Sequence, residues 1–273
     1  MAVVLHDRRK LLRSSCRRLA GQFSISRVAG IFSAVVILSL AKPTCSQSGG
    51  AVETSIPNIA QIVEGMERHD QLQGSTLQSY EGTRHYSVVY RGFTRTIAAD
   101  MDVAVNYTPA SGKTFRIISK EGSNMLCEKV LKRALDSERE ASLNRSATAL
   151  NSANYRFQLV GIDRSDDRSA YILSVEPISP NQFLYRGTIW VDMAEFAVTK
   201  MEVQPAKNPS FWISRTQIHH SNEITNGFWM PKQNRSETKV RIGGIAIMTI
   251  NYQAYRITAQ HDSLTSLLQP QGR

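Results

Sequence analysis

The chain is poor in the residues that most site chemistry requires. Its 3 cysteines among 273 residues, Cys16, Cys45 and Cys127, are too few and too scattered for a disulfide framework. Its 6 histidines, His6, His69, His85, His219, His220 and His261, form no His-x-x-x-His or Glu-x-x-His pattern, so no metal ligand set is visible. His219 and His220 are neighbours, and on a strand they point to opposite faces. No Gly-x-Ser-x-Gly elbow, phosphate loop or dinucleotide fingerprint occurs. No catalytic residue and no cofactor is therefore expected, and the sequence reads as a non-enzyme. Asp163, Asp166 and Asp167 with Arg164 and Arg168 lack the spacing of a calcium loop and read as a solvated hairpin tip.

Long apolar runs are equally scarce. An uncharged apolar stretch near the start, Val28 to Ala41, has 14 residues, short of the roughly 20 that span a bilayer. Before it stand Arg8, Arg9, Lys10, Arg13, Arg17, Arg18 and Arg27 against one acid, Asp7. Lys42 and Pro43 break the run, and small residues follow. This layout is that of a secretory signal over residues 1–46, cleaved near 41–46, which implies periplasmic delivery. An uncleaved anchor is the alternative. Asp7-Arg8-Arg9-Lys10-Leu11-Leu12 partly matches a twin-arginine signal, and Cys45 raises the question of lipidation.

Export changes the meaning of the charge. The chain carries 33 basic and 23 acidic residues, net +10. Residues 1–46 hold 8 of the bases and 1 of the acids, which leaves 25 against 22 in the remainder. So mild an excess gives no polybasic surface across the domain, and nucleic acid is not expected as a partner. Arg91-Gly92-Phe93 resembles a fragment of an RNA-binding motif whose other residues are missing.

Residues 47–54 form a Gly/Ser-rich lead-in, and a domain over 55–258 and a polar tail over 259–273 follow. Ile59, Ile62, Val63 and Met66 predict a helix over 57–68, with Ser55 as its N-cap. Strands are predicted over 77–90, 96–107 and 115–119. Cys127, Val130, Leu131, Ala134 and Leu135 then repeat with helical spacing, so helices occupy 124–150 and Cys127 is a small buried side chain. Seven further strands follow: 155–162, 170–175, 183–191, 196–203, 211–221, 228–238 and 245–257. Asn226-Gly227 is a hairpin turn. Strands in succession without helices between them pair antiparallel, and a sheet of about ten strands curls. The expected fold is mainly β (α+β): a large curled antiparallel sheet forming an unclosed barrel, covered by helices on its concave face. The apolar space so enclosed suits a greasy ligand.

Period two places Phe183, Tyr185, Ile189 and Val191 on one face of their strand, and Met248, Ile250 and Tyr252 on one face of another. These seven are the candidate lipid-contacting residues, with plain core packing as the competing role for each.

The segment from Leu184 to Asp192, LYRGTIWVD, is followed by Phe196 to Glu202, FAVTKME. With the opening helix, Tyr80 and Tyr86 in long strands, and Phe228-Trp229-Met230-Pro231, it resembles the periplasmic outer-membrane lipoprotein-sorting proteins, the LolA-like carriers. The resemblance covers about residues 55–258. It implies an unclosed barrel with a helical lid, acyl chains of a lipid or lipoprotein as cargo, and a membrane-bound donor or receptor. It also implies a lipid-contacting arginine, for which Arg91, Arg95 and Arg186 are the candidates. A sensor on the same fold that regulates a membrane partner is the second reading. An enzyme without a recognisable motif is the third.

Overall fold

The protein is described by a computed structural model over residues 57–260, apart from 166, 209, 212 and 242. The signal, the lead-in, Ser55, Asp166 and all but the first two residues of the tail lie outside the described residues.

Ten strands form one antiparallel sheet that does not close. They are β1 (Leu77–Arg91), β2 (Thr96–Thr108), β3 (Gly112–Gly122), β4 (Tyr155–Asp163), β5 (Ala170–Pro177), β6 (Tyr185–Asp192), β7 (Val198–Pro205), β8 (Ile213–Thr225), β9 (Phe228–Val240) and β10 (Ile245–Ala259). The spatial order is β3-β2-β1-β10-β9-β8-β7-β6-β5-β4. Each strand from β4 onward pairs with its successor, and β10 returns to β1, so the two edges are β3 and β4. The expected mainly-β, unclosed architecture is the one found.

Helix α1 (Ile59–Thr76) precedes the sheet. It runs two turns beyond the expected end at 68, and its cap is Asn58: the Asn58 side chain accepts from the Gln61 N–H while Gln61 reaches back to the Asn58 N–H. Helices α2 (Asn124–Leu126), α3 (Lys132–Leu143) and α4 (Arg145–Thr148) lie between β3 and β4, with a π-helical turn at Cys127–Leu131 joining α2 to α3.

Both helical groups pack on the same sheet face. Ile62 and Met66 of α1 enter a cluster with Tyr155, Leu173, Ile189, Val191 and Val203. Leu126, Cys127, Leu131 and Leu135 enter a second cluster with Tyr86, Val88, Met101, Val103 and Ile250. Cys127 is buried there, and its thiol reaches the Glu121 carbonyl at 3.6 Å. Alternation along β1 and β2 explains why: Tyr86, Val88, Met101 and Val103 all turn to this face, whereas His85 and Asp102 pair on the other.

Two turns show how sequence sets the register. Asn226 (φ 51°) and Gly227 (φ 80°) both adopt positive φ, as a two-residue hairpin between β8 and β9 requires. Gly187, inside β6, has φ 143°, and a Cβ there would meet the Glu202 carbonyl oxygen and lie 2.9 Å from Val203 Cα. Gly187→Ala is therefore expected to cost about 2 kcal/mol, from backbone strain and displacement of β7. Urea unfolding measures it as a shift of midpoint at unchanged slope.

Candidate functional site

Residues that face each other across the strands share a face, and one rung of pairs connects both halves of the candidate site. Ile189 on β6 lies opposite Met201, Met201 opposite His220, His220 opposite Asn234, and Asn234 opposite Ile250 on β10. The structure thus brings Tyr185, Ile189 and Val191 onto the same helix-bearing face as Met248, Ile250 and Tyr252. Their environments differ. Ile189, Val191 and Ile250 are buried in the clusters beneath the helices, while Tyr185, Met248 and Tyr252 are half-buried. Phe183 lies ahead of β6, not within it. The Asn181 side chain accepts from the N–H groups of both Phe183 and Leu184, turning the chain, so strict alternation begins only at Tyr185. Leu184, which period two sends to the opposite face, is buried in the core with Ile189.

The helices approach the sheet at its flanks. Their backbones come close to β1, β2 and β3 on one side and to β4 on the other. Between these flanks the face carries Met201, Ile218, His220, Asn234, Met248 and Tyr252, all half-buried. Met201 and Ile218 pack against the first cluster and Met248 and Tyr252 against the second, so these side chains are largely removed from bulk water. The titrations agree. Burial, the main cause, raises the Tyr185 and Tyr252 hydroxyls above their ordinary value, and the Glu138 carboxylate of α3 adds to both shifts. Burial lowers the His220 imidazole, which keeps it uncharged at neutral pH. The His220 ring meets Tyr252 edge-on at 6.4 Å.

One charged group sits under the roof. Arg84 belongs to the inward series Tyr80, Gly82, Arg84, Tyr86, Val88 of β1, and its side chain is 1% exposed. Its Nη1 donates to Glu138 Oε2 of α3 at 2.6 Å and to the Tyr86 hydroxyl at 3.2 Å. The guanidinium lies 4.7 Å from the Tyr252 ring centre and 5.3 Å from that of Phe115. Its Nε and Nη2 have no hydrogen-bond partner. Lys113 of β3 donates to the other Glu138 oxygen at 2.7 Å. Burial pushes the Glu138 carboxyl up, but Lys113 and Arg84 outweigh it and hold it at about 2. The triad ties α3 to β1 and β3. The three arginines named from the resemblance lie elsewhere: Arg91 and Arg95 are exposed around the β1–β2 turn, and Arg186 faces outward beside Glu176. The signal for Arg84 is in the sequence, as a cation in the apolar phase of a strand.

The charged cluster expected as a solvated hairpin tip is exposed at Arg164, Asp167 and Arg168, and two of its members also bond beyond the tip. Asp163 does cap its own turn through Ser165 and accepts from Trp190 Nε1 at 3.1 Å. Arg168, however, leaves the tip to clamp Asp192 from Nε at 2.7 Å and Nη2 at 3.0 Å, and also reaches Glu195 at 2.7 Å. Asp192 is what the end of the GTIWVD strand requires: it accepts from the N–H groups of Ala194 and Glu195 and shapes the β6–β7 turn. Glu195 then accepts from Trp229 Nε1, and the Trp229 backbone exchanges two hydrogen bonds with the Gln73 side chain of α1. The last turn of α1 is thereby anchored to the β8–β9 hairpin. Among the described residues no group of three metal-binding side chains exists, and no helix is long and apolar enough to cross a membrane.

Residues 146–256 match the family of unknown function DUF5686. No curated protein matches the chain. Solved structures with similarity include a DUF1329 family protein from Desulfovibrio piger, 16% identical over 78% of this chain and 100% of that one, TM-score 0.41. A putative outer membrane lipoprotein-sorting protein domain from Vibrio parahaemolyticus is 10% identical over 76% and 96%, TM-score 0.37. A LolA superfamily protein from Nitrosomonas europaea is 11% identical over 77% and 97%, TM-score 0.33.

Proposed function

We propose that the protein is an exported, periplasmic carrier that holds acyl chains of a lipid or lipoprotein between its helices and its sheet, and that it is not an enzyme. The observation that carries this reading is the half-buried apolar surface of Tyr185, Met201, Ile218, Met248 and Tyr252 on one sheet face, packed against two helix-covered clusters, and we take this strip as the trough for the cargo. Capture by apolar area is nondirectional and needs no catalytic group. The unclosed sheet with helices on one face is also the arrangement that the resemblance to LolA-like carriers implies. Arg84, with two unpartnered nitrogens beneath α3, supplies donors for the polar end of such a cargo once the helix lifts.

The test is the ligand carried by protein purified from its native envelope. Mass spectrometry is expected to find acyl lipid or lipoprotein; protein free of both would end the carrier reading. Crosslinking to one membrane protein, without transferable lipid, would instead establish an interaction module. Met248→Glu places a carboxylate on the trough face, where no cation is opposite it: its partners are Val88 and Ser236. Binding of a fluorescent acyl probe is expected to weaken at least tenfold, the equivalent of about 1.4 kcal/mol. Melting temperature should stay near that of the wild type, since the side chain is half-buried.

A further inference from the structure

Three connections meet at one end of the sheet: the β1–β2 turn, the β7–β8 connection and the β9–β10 turn. Residues 91–96, 207–215 and 239–245 contain Arg91, Arg95, Lys207, Arg215, Lys239 and Arg241 and no acidic residue. The chain beyond residue 46 holds 25 bases and 22 acids. Outside these three segments its acids therefore outnumber its bases by 3, so the positive charge of the domain is gathered at this end. Among the described residues none of the six forms an ion pair within 4.0 Å, although 10 pairs of Lys or Arg with Asp or Glu occur elsewhere among them.

Two large apolar rings stand among these cations. Phe93 is 88% exposed and Phe211 is 73% exposed, the two most exposed large apolar side chains described. The Arg241 guanidinium lies 5.1 Å over the Phe211 ring. Phe93 rests against Gly243, and the Tyr90 hydroxyl donates to the Gly243 carbonyl at 2.8 Å, so the two turns are joined. Arg91, Lys239 and Arg241 line an open recess of about 780 Å³ between them. Exposed aromatics amid cations, in three segments that hold no acidic residue, suit a surface that is anionic outside and apolar a few ångströms in.

We propose that this end docks on an anionic phospholipid bilayer, with the six cations against the headgroups and Phe93 and Phe211 entering the acyl boundary. Each cation near such a surface is attracted to it, and the attraction falls away within a Debye length. Docking of this kind is independent of the carrier reading, because it requires neither an acyl chain in the trough nor movement of α3.

Flotation with vesicles tests it, using the full chain in wild-type and variant form so that residues 1–46 contribute equally to both. Wild type is expected to float with phosphatidylglycerol vesicles at about 0.15 M salt, and far less at about 1 M salt or with phosphatidylcholine alone. The triple variant R91E/K239E/R241E is expected to bind at least tenfold more weakly, and F93S/F211S measurably more weakly with its salt dependence intact. All five sites are exposed, and an unchanged melting temperature verifies the fold. Failure of the wild type to float, or flotation of the triple variant equal to wild type, overturns the proposal. Loss of acyl lipid in the purification experiment would leave it standing.

Discussion

Glu138→Ala is expected to be the most damaging single substitution in the helical roof. It leaves the Arg84 guanidinium, 1% exposed, with the Tyr86 hydroxyl as its one remaining hydrogen-bond partner. Removing one member of a buried pair costs about 3–5 kcal/mol, because the other charge stays desolvated. For a domain of this size that is a fall of roughly 6–20 °C in melting temperature. Arg84→Met is expected to cost less: Glu138 retains Lys113 at 2.7 Å and, unlike Arg84, can still reach water. The double variant Arg84→Met with Glu138→Leu should recover most of the loss, since an apolar pair can replace a buried ion pair. Thermal unfolding of the three variants checks the order. If Glu138→Ala were as stable as wild type, the triad would not be what holds α3 down.

The same carboxylate sets an acid limit on stability. Its folded value of about 2 lies below the ordinary 4.5, so the unfolded chain binds its proton first as pH falls. Its contribution is complete above about pH 4.5 and is lost progressively down to about pH 2, on the order of 3 kcal/mol in all. Wild type minus Glu138→Gln, followed by urea unfolding across that window, should isolate it as a difference that shrinks with falling pH. Hydrogen exchange in 132–143 should rise in Glu138→Ala even at neutral pH, which reads the loosening of α3 directly.

How much of this could be seen in the sequence depends on the range of the interaction. The strands were legible because alternation and turn residues are local: Val103 and Val105 against Asp102 and Ala104, or Asn226-Gly227 between β8 and β9. The Cys127 stripe was legible for the same reason. Boundaries failed where the pattern fades. β3 extends to Gly112–Gly122, but it is an edge strand whose Ile117 and Ile118 are exposed, so its alternation is weak. α1 continues past Arg68 through residues with no apolar stripe, held at its far end by Gln73 on the Trp229 backbone, 156 positions away. Arg84 was missed although it breaks the apolar phase of β1, because the partner that makes it tolerable, Glu138, lies 54 residues on. The basic end was hidden in an almost neutral total. Only the fold shows that three segments far apart in sequence share it.

Asp192 presents the opposite case, a residue prominent in sequence whose part in the molecule is structural. Its carboxylate is 2% exposed and accepts four hydrogen bonds, two from Arg168 and two from the N–H groups of Ala194 and Glu195. Burial raises its pKa, but these donors outweigh it and the net shift is downward. Asp192→Ala strips the β6–β7 turn of Oδ1, the one acceptor that both N–H groups share, and is expected to cost about 2–4 kcal/mol. Arg168→Ala should cost well under half of that, because the arginine is largely solvated and Asp192 keeps its two backbone donors. Asp192→Asn, which retains an acceptor for the turn and loses the charge, is expected to fall between them. That order separates the two interactions: a turn-shaping role predicts Ala far worse than Asn, whereas a role confined to the ion pair predicts Ala, Asn and Arg168→Ala nearly equal. Because Glu195, next in the turn, holds Trp229 at 2.7 Å and Trp229 holds Gln73, the damage should also reach α1. Hydrogen exchange in 70–76 should quicken in Asp192→Ala and stay unchanged in Glu138→Ala, so that the two ends of the roof loosen independently.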